Sequence, residues 1–402
     1  MGAFDPTTQP SLWLTPSAER APILEGRADV VVVGAGMTGL SCALHLRRAG
    51  LDVLVLEAGV VGCGATSRNV GFVLEGVAES YARTVALWGR DRARAARLFT
   101  VENHARVAEL IEQHAIDCGY ARRGSIHLAD TEQEEAELRE GAAVLQADGF
   151  EADLVEEDAL PPWARSNGYR MGQVIPGDGE LDPVRFVRGL AEACEAAGVR
   201  IGERSEVLDV VESDAGVRLR TQGGHVLADA VVVAANAYAA RLLPWTRDRI
   251  DPVRGQVLAT APVAERLFPR PIYASHGFEY WRQLDSGEVV MGGWRNLDVD
   301  TEVGTEHRLH AGIQATMERF LRGLHPALTD VAIPHRWSGI MGFSRDSLPL
   351  VGAVPGAQRT WVCAGFTGHG FGFSVLAGAV LADLMATGTN PWAELLAPRR
   401  LG

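Results

Sequence analysis

A single stretch, residues 28–59, constrains the fold more than any other part of the chain. Its four consecutive valines, Val30–Val33, suit a strand that is buried on both faces, as in a parallel sheet. Residues 34–39 then match G-x-G-x-x-G, an amphipathic helix follows, and a second apolar strand, Val53–Leu56, ends in Glu57. Strand, glycine loop, helix, strand and acid in this order predict a dinucleotide-binding βαβ unit.

The residues of the glycine loop have separate physical roles. Gly34 permits the tight turn, Gly36 lets the backbone approach a pyrophosphate, and Gly39 lets the helix pack closely on the strand. The start of the helix, at Met37 and Thr38, offers free N–H groups and the positive end of the helix dipole to the phosphates.

Glu57 and Ala58 close the unit at the end of the second strand. An acid about 20 residues after the glycine loop is placed to bond ribose hydroxyls, and it favours a ribose without a 2′-phosphate. The chain has one such fingerprint, so the residues at this point leave both NAD and FAD open.

The segment that follows directly favours the longer cofactor. Residues 62–71 read GCGATSRNVG, and small residues and hydroxyls this close to the phosphate loop suit a second cradle for a long ligand. The residues that we expect to line this cradle are Gly64, Ala65, Thr66, Ser67, Arg68 and Asn69.

Charge and cysteine content limit the binding partners and the cellular compartment that we expect for the protein. The net charge of −13 argues against nucleic acid and against an anionic membrane surface, and it slightly favours a cationic substrate. The five cysteines are scattered without metal or redox spacing, so we expect a reduced, cytoplasmic setting and no metal site. The N-terminus lacks the pattern of a secretory signal, and no apolar run reaches about 18 residues, so we expect no membrane span. The sequence leaves the oligomeric state open.

The order of the predicted elements indicates two units that share the chain alternately. Strands with the character of the first sheet recur near residues 230–235 and 358–365. Residues 250–300 alternate apolar and polar side chains, as an antiparallel sheet does. The sequence therefore predicts an α/β fold in which a Rossmann-like sheet is interleaved with a second, antiparallel sheet.

Two helix starts are well marked. Asp182 directly before Pro183 forms a good N-cap and first-turn pair, which predicts a helix from Asp182 to Gly198. A glycine-rich turn precedes the last helix, which we expect over residues 373–388. Its backbone N–H groups would face a negative charge that develops on a cofactor ring, and the residues concerned are Gly368, His369, Gly370, Phe371 and Gly372.

The chain resembles the FAD-dependent D-amino-acid-oxidase-like oxidoreductases, a family that includes sarcosine oxidase, glycine oxidase and γ-glutamylputrescine oxidoreductase. The resemblance covers nearly the whole chain. Its motifs are GAGMTG with Glu57, GATSRNVG, VVVAANAYA (231–239), PVRGQV (252–257), FEYWRQLDSGEVVMGGWR (278–295), RWSGIMGFSRDSLPLVG (336–352) and GFTGHGFGFS (365–374). It implies FAD, bound noncovalently, and adds to the expected cofactor contacts Val207, Ala235 and Gly339.

The resemblance also implies two interwoven domains, in which the antiparallel sheet of a substrate domain roofs the isoalloxazine ring. We expect an extended lead-in at residues 1–27, an FAD-binding domain from 28–80, 180–245 and 335–402, and a substrate domain from 81–179 and 246–334.

Two positions separate this chain from relatives that bind a carboxylate. Amino-acid oxidases of the family place an arginine shortly after a Trp-x-Gly-Leu step, and this chain has Met341 there. Sarcosine oxidases carry a lysine after the final Gly-His-Gly-Phe, where this chain has Gly372. Methionine cannot supply the guanidinium fork that clamps a carboxylate. We therefore expect an amine without an α-carboxylate, and the γ-glutamylputrescine oxidoreductase branch is the nearest.

A substrate that carries a carboxylate remains an alternative, because several arginines could hold the acid from another direction. They are Arg68, Arg254, Arg282, Arg295 and Arg345. A structural or surface ion pair is the simpler role for most of them. Arg68 lies in the flavin loop, which suits a cofactor contact. The resemblance suggests that Arg295 stands where sarcosine oxidase keeps a lysine that helps oxygen react, and a surface charge at a strand end is the alternative.

We expect aromatic side chains in the roof, where their ring faces can bind a cationic amine. They are Tyr280, Trp281, Trp294 and Trp337. For Trp281 and Trp337, packing in the core is the simpler role. His369 belongs to the glycine turn, so a structural or flavin contact is its simpler role beside acid–base work. The candidate catalytic residues are His369, Tyr280, Trp337, Met341 and Arg295.

Residues and resemblance together imply oxidation of the C–N bond of a small amine. A hydride passes to flavin N5, and the imine hydrolyses to a carbonyl compound and an amine. O2 or another acceptor reoxidises the cofactor, with an oxidase favoured over a dehydrogenase. The alternatives are an oxidase of amino acids or N-methyl amino acids, an amine dehydrogenase that does not use oxygen, and an FAD-binding protein without a free amine substrate.

Overall fold

The computed structural model describes residues 10–402, so residues 1–9 of the expected lead-in lie outside the described part of the chain. The strands are β1 Gly26–Val33, β2 Val53–Leu56, β3 Phe72–Val73, β4 Ser125–Ala129, β5 Asp153–Glu156, β6 Met171–Ile175, β7 Gly179–Glu180, β8 Arg200–Gly202, β9 Val207–Ser213, β10 Gly216–Thr221, β11 His225–Val233, β12 Ile250–Ala259, β13 Ile272–Ala274, β14 Glu279–Gln283, β15 Val289–Gly293, β16 His335–Ser344, β17 Leu350–Ala353 and β18 Thr360–Ala364. The α-helices are α1 Met37–Arg48, α2 Tyr81–Trp88, α3 Arg90–Gln113, α4 Glu132–Ala147, α5 Pro162–Ser166, α6 Pro183–Ala196, α7 Ala311–Leu324, α8 Gly370–Thr387 and α9 Ala393–Leu396.

The first sheet is built around β1. Its order is β17-β18-β11-β1-β2-β8, and the hairpin of β9 and β10 joins it at β11. β1 pairs in parallel with both β11 and β2, so that Val30 lies between Ala230 and Val53. β11 pairs in parallel with β18. The sequence predicts that the chain enters this sheet near its start, near residue 230 and near residue 360, and this is confirmed by β1, β11 and β18. β1 already begins at Gly26 rather than at the valine run.

Helices α1 and α8 pack against each other on this sheet. They approach closely because α8 has Gly378 at the crossing, where a Cβ would lie 2.7 Å from the carbonyl oxygen of Thr38. By length and composition alone α8 could cross a membrane, but 67% of it is buried inside the protein. An apolar helix in that position is a core helix.

Asp182 caps α6 as the sequence predicts. Its Oδ1 accepts hydrogen bonds from the N–H groups of Val184 and Arg185, both at 2.9 Å. This carboxylate satisfies two of the donors that a helix start leaves without an intrahelical partner.

The second sheet has the order β16-β12-β15-β14-β13-β4-β6-β5. Its neighbours are antiparallel except for β13 and β4, which run parallel. One face is covered by α7, whose Ile313, Met317 and Leu321 pack with Trp281 and Met291 in a buried core. The region of the sheet around β12 and β14 borders the cavity described below.

β16 connects the two units. It pairs with β12 over its whole length, from Ile250 opposite Ser344 to Ala259 opposite His335. Residues 335–344 therefore lie in the second sheet, although the sequence division places them in the FAD-binding domain. β17 and β18 lie in the first sheet. The domain boundaries given above stay a proposal.

The described part of the lead-in, residues 10–25, has no helix or strand and is anchored by Trp13. This side chain is 5% exposed, and its Nε1 donates to the carbonyl oxygen of Asn69 at 2.8 Å. The guanidinium of Arg282 lies 5.3 Å from the centre of its ring. The lead-in thereby supports the segment that contains the second cradle.

Candidate functional site

A cavity of about 1130 Å³ joins the two sheets. Its walls come from the loop after β1, from residues 62–69, from the start of α8 and from β12, β14 and β16 of the second sheet. Its residues thus bring the two predicted cradles and the predicted roof together.

The glycine loop presses α1 against β1 and β11. Gly34 has a φ of +109°, and a Cβ on it would lie 2.8 Å from the carbonyl oxygen of Ala234. A Cβ on Gly39 would lie 2.0 Å from the carbonyl oxygen of Gly34, so no side chain fits there. Gly36 is the N-cap of α1, and no side chain caps the helix within residues 10–402. The first N–H groups of α1 are therefore available to an anion in the cavity.

The carboxylate of Glu57 is held by backbone N–H groups at the end of β2. Its Oε2 accepts from Ala35 at 2.8 Å, and its Oε1 accepts from Gly59 at 2.9 Å. Burial raises the pKa of Glu57, and these two hydrogen bonds oppose the shift. The side chain lines the cavity, where the remaining lone pairs can accept ribose hydroxyls.

The second cradle is closed by Asn69. Its Nδ2 donates to the carbonyl oxygens of Ala65 at 3.0 Å and Thr66 at 2.7 Å. The hydroxyl of Thr66 would lie 3.3 Å from a Cβ on Gly36, so this loop and the phosphate loop are in near contact.

Arg68 ties this loop to β16. Its Nη1 donates to the carbonyl oxygen of Ser338 at 3.0 Å, and Trp337 Nε1 donates to the carbonyl oxygen of Arg68 at 3.2 Å. A Cβ on Gly339 would lie 2.9 Å from that same Arg68 oxygen. Desolvation by burial lowers the pKa of Arg68, which also lines the cavity.

The roof is a patch of bare backbone beside one tyrosine and one methionine. Gly255 pairs with Gly339 across β12 and β16, and a Cβ on Gly255 would lie 3.1 Å from Met341 Cε and 4.0 Å from the Tyr280 hydroxyl. Among residues 10–402 this hydroxyl has no hydrogen-bond partner. Burial raises the pKa of Tyr280 to about 12, so the phenol stays protonated at neutral pH.

The other aromatic residues predicted for the roof do not reach the cavity. Trp281 and Trp294 pack around Phe320 in the core under α7, with ring centres 5.5 and 4.9 Å away. Trp337 is fully buried. This position does not support its predicted catalytic role, because its side chain packs with Trp13, Val70 and Phe72 and supports the Arg68 loop through the hydrogen bond described above.

The turn before α8 lies beside Met341. Gly368 has a φ of +77°, and a Cβ on it would lie 3.6 Å from the sulfur of Met341. His369 follows, and its Nδ1 donates to the carbonyl oxygen of Thr367 at 3.3 Å. Burial lowers the pKa of His369, so the ring is neutral near pH 7 and its Nε2 is an acceptor.

Three of the arginines that could hold a substrate acid do not line the cavity. Arg254 is 2% exposed and bonds Glu302, itself fully buried, at 3.2 Å. Arg282 is 4% exposed and lies 3.3 Å from Glu180. Arg345 is exposed and does not line the cavity. Ion-pair roles for the first two agree with the simpler expectation.

Asp178 and His127 also line the cavity, and neither is among the residues predicted from the sequence. Asp178 is 1% exposed and accepts from the Ser125 hydroxyl at 2.5 Å and the Glu75 N–H at 2.7 Å. Burial raises the pKa of Asp178 to about 7 and lowers the pKa of His127 to about 4. His127 could have been found from the strand pattern of β4, whereas no local pattern marks Asp178.

Most predicted site residues line this one cavity. Of the expected cofactor contacts, only Gly39 and Ser67 do not. Gly39 serves helix packing, and Ser67 is fully buried with its hydroxyl turned back to the carbonyl oxygen of Gly64 at 3.4 Å, so its cofactor contact stays a prediction. Four of the five candidate catalytic residues line the cavity, namely His369, Tyr280, Met341 and Arg295.

The residues present fit FAD. The uncapped start of α1 suits the diphosphate, and Glu57 suits a ribose. The bare backbone around Gly255 and Gly339 leaves a flat surface for a ring. Gly372 also lines the cavity, and it allows the start of α8 to pack against Leu74, whose carbonyl oxygen would lie 2.5 Å from a Cβ there. The volume is that of a large ligand site.

Fold and site together define a flavoprotein oxidoreductase with a Rossmann-like sheet and a second, roofing sheet. The chain belongs to the DAO family of FAD dependent oxidoreductases, whose model matches residues 29–384. The predicted family, fold class and FAD cofactor are thereby confirmed.

Relatives of the chain cover most of its length. It is 30% identical over 370 residues to a gamma-glutamylputrescine oxidoreductase of Escherichia coli, which covers 89% of this chain and 83% of that protein. It is also 30% identical over 370 residues to a glycine oxidase of Geobacillus kaustophilus, with 89% and 93% covered. A crystal structure of glycine oxidase from Geobacillus kaustophilus matches with a TM-score of 0.80 at 26% identity, covering 94% of this chain and 100% of that one.

Proposed function

We propose that this protein uses FAD to oxidise the C–N bond of a small amine, giving an imine that hydrolyses to a carbonyl compound and an amine. Two relatives support a nitrogen substrate, since their names assign them γ-glutamylputrescine and glycine. The cavity supports it with a hydrogen-bonding hydroxyl, a neutral imidazole and a bare surface for a planar ring.

The observation that carries the proposal is the place of Met341. It lies beside the Tyr280 hydroxyl and Gly255, at the position where amino-acid oxidases of the family have an arginine. A thioether cannot pair with an α-carboxylate, but it can pack against the carbon chain of an amine. The tyrosine hydroxyl, with no partner among residues 10–402, can bond the substrate nitrogen.

Bound FAD would supply the oxidising power by accepting a hydride from the carbon next to the nitrogen. The chain itself would position the substrate and hold its proton. A protonated amine must first lose a proton, and His369 can accept it at Nε2 while Nδ1 stays bonded to the Thr367 carbonyl. The uncapped start of α8 would stabilise negative charge nearby.

Carboxylates in the cavity support a cationic substrate, and the free cysteines support a reducing compartment. The carboxylates of Glu134, Glu137 and Glu140 line the same cavity and favour entry of a cationic amine. All five cysteines are buried and unpaired, which supports a cytoplasmic setting. We propose O2 as the electron acceptor, with an acceptor-linked dehydrogenase as the alternative.

Anaerobic bleaching of the FAD absorption tests the proposal. The holoenzyme is mixed with polyamines, γ-glutamyl amines, sarcosine and D-amino acids, with dithionite as the control for reducibility. We expect a polyamine or a γ-glutamyl amine to bleach the flavin fastest. Fastest bleaching by sarcosine or a D-amino acid would show that Met341 and Gly372 were misinterpreted. If dithionite alone bleaches it, the result contradicts the proposal and favours an FAD-binding protein without a free amine substrate. Peroxide formation in air then separates an oxidase from a dehydrogenase.

A further inference from the structure

Arg295 is held in the cavity by rings and not by polar partners. Its Cζ lies 5.8 Å from the centre of the Phe278 ring and 5.3 Å from that of Phe343. The side chain is half-buried, and among residues 10–402 its guanidinium makes no hydrogen bond or ion pair. A cation in this setting keeps all five N–H donors free for a ligand.

A sharp corner in the backbone places Arg295 there. Gly293 ends β15 with a φ of +125°, and a Cβ on it would lie 2.0 Å from the carbonyl oxygen of Phe278. Trp294 follows in the left-handed region with a φ of +56°, and its N–H donates to the same oxygen at 2.6 Å. Because Trp294 turns into the core, the chain brings Arg295 back over the rings that border the cavity. A non-glycine residue in this conformation is held by its surroundings.

The other arginines of the cavity differ from Arg295. Arg83 pairs with Glu79 at 2.8 Å, and Arg97 pairs with Glu75 at 3.0 Å. Arg68 is bonded to β16, as described above. Arg241 is exposed and stacks on Tyr238. Arg295 therefore combines partial burial, fixed ring contacts and unused donors, which the others do not.

We propose that Arg295 binds a carboxylate of the substrate, so that the substrate is an amine that also carries an acid group. The proposal rests on the proposed function and deepens it. The two phenylalanine rings hold the guanidinium beside the cavity, and a guanidinium fork can pair with a carboxylate through two hydrogen bonds. Met341 cannot bind a substrate carboxylate at its wall of the cavity, whereas Arg295, just after β15, can bind one. γ-Glutamyl amines and ω-amino acids fit this reading better than plain polyamines.

Binding of unreactive acids to the FAD-loaded protein tests the assignment without turnover. The probes are butanoate and benzoate, and the corresponding alcohols serve as uncharged controls, all measured by calorimetry. We expect Arg295→Met to raise the Kd of the acids roughly 10- to 100-fold and to leave the alcohols unchanged. Arg83→Met removes a cavity arginine that is already paired and should leave both unchanged. If Arg295→Met does not load FAD, Arg295→Gln replaces it. Equal acid affinity in wild type and variant, or no acid binding by the wild type, overturns the proposal.

Anaerobic bleaching by 4-aminobutanoate and by butylamine separates this proposal from the broader one. We expect the acid-bearing amine to act at a concentration at least tenfold lower, and Arg295→Met to abolish the difference. If amines bleach the flavin but the acid group and Arg295 make no difference, only the role of Arg295 is excluded. If no amine bleaches it while acid binding still depends on Arg295, the proposed reaction fails and the anion site stands.

Discussion

The ring of Tyr280 lies directly on the backbone of Gly292, its partner across β14 and β15. A Cβ on Gly292 would come within 2.5 Å of Cε2 of that ring. The missing side chain lets the tyrosine lie across the sheet, which brings its hydroxyl beside Gly255 and Met341. The position of the one roof hydroxyl that we assign to the substrate therefore depends on a glycine in the neighbouring strand.

Replacing this glycine should displace the tyrosine. We expect Gly292→Ala to lower the free energy of unfolding by about 1–3 kcal/mol, because the added methyl group overpacks a fixed ring. In a Tyr280→Ala background the same change should cost much less. Urea unfolding of the four proteins gives the coupling between the two positions. Strictly additive effects would show that the ring does not sense the glycine.

The glycine loop offers a test of cofactor binding. Gly39→Ala would place a Cβ 2.0 Å from the carbonyl oxygen of Gly34, so we expect loss of FAD and a lower Tm. Gly323→Ala is a matched control in α7, since nothing lies within 4 Å of its Cβ, and it should be neutral or stabilise by up to about 1 kcal/mol. Normal FAD content in Gly39→Ala would contradict the close packing of α1.

The hydroxyl of Tyr280 should matter for the substrate and not for the fold. Tyr280→Phe removes a group that has no hydrogen-bond partner among residues 10–402, so the Tm should change little. We expect the concentration of amine that half-bleaches the flavin to rise roughly 5- to 100-fold, the loss expected for a hydrogen bond in a buried site. Tyr169→Phe, at a buried tyrosine outside the cavity, is the control. Identical behaviour of the two variants would remove Tyr280 from the substrate site.

Asp178 should make stability fall as pH rises. Burial raises the pKa of its carboxyl to about 7, against about 4 in an unfolded chain, so the folded protein holds an extra proton between these values. The stabilisation is complete below pH 4 and is lost as pH rises through 7, on the order of 4 kcal/mol in total. We expect Asp178→Asn to gain stability relative to wild type between pH 5 and pH 8 in urea unfolding. Parallel pH profiles would show that the buried carboxyl is already ionised at pH 5.

The parts of the fold that the sequence predicts are those with local causes. The glycine loop, the valine strands and the Asp182 cap each depend on a few neighbouring residues. The membership of β16 in the second sheet depends on pairing with β12, more than seventy residues earlier in the chain. No local pattern encodes such pairing, and the sequence division therefore places residues 335–344 with the other unit.

In the candidate site, too, the residues with local sequence signals could be predicted, and those placed by distant contacts could not. Glycines mark where backbone must approach a ligand, so most cofactor contacts could be predicted. Strand alternation tells which residues share a face, and it places Trp337 on the same face of β16 as Met341. It does not tell that Val70 and Phe72 cover Trp337 and keep it out of the cavity. The same alternation would have found Phe343, two residues after Met341 on β16. The position of Arg295 depends on the left-handed conformation of Trp294, which no sequence pattern indicates.

The most direct test of the whole account is the cofactor content of the purified protein. We predict a yellow protein that releases one FAD per chain on denaturation, with no flavin left on the polypeptide, and that binds FAD more tightly than FMN because FMN lacks the adenosine half. A protein that stays colourless after refolding with FAD, or that binds FMN as tightly as FAD, would contradict the assignment of the cavity.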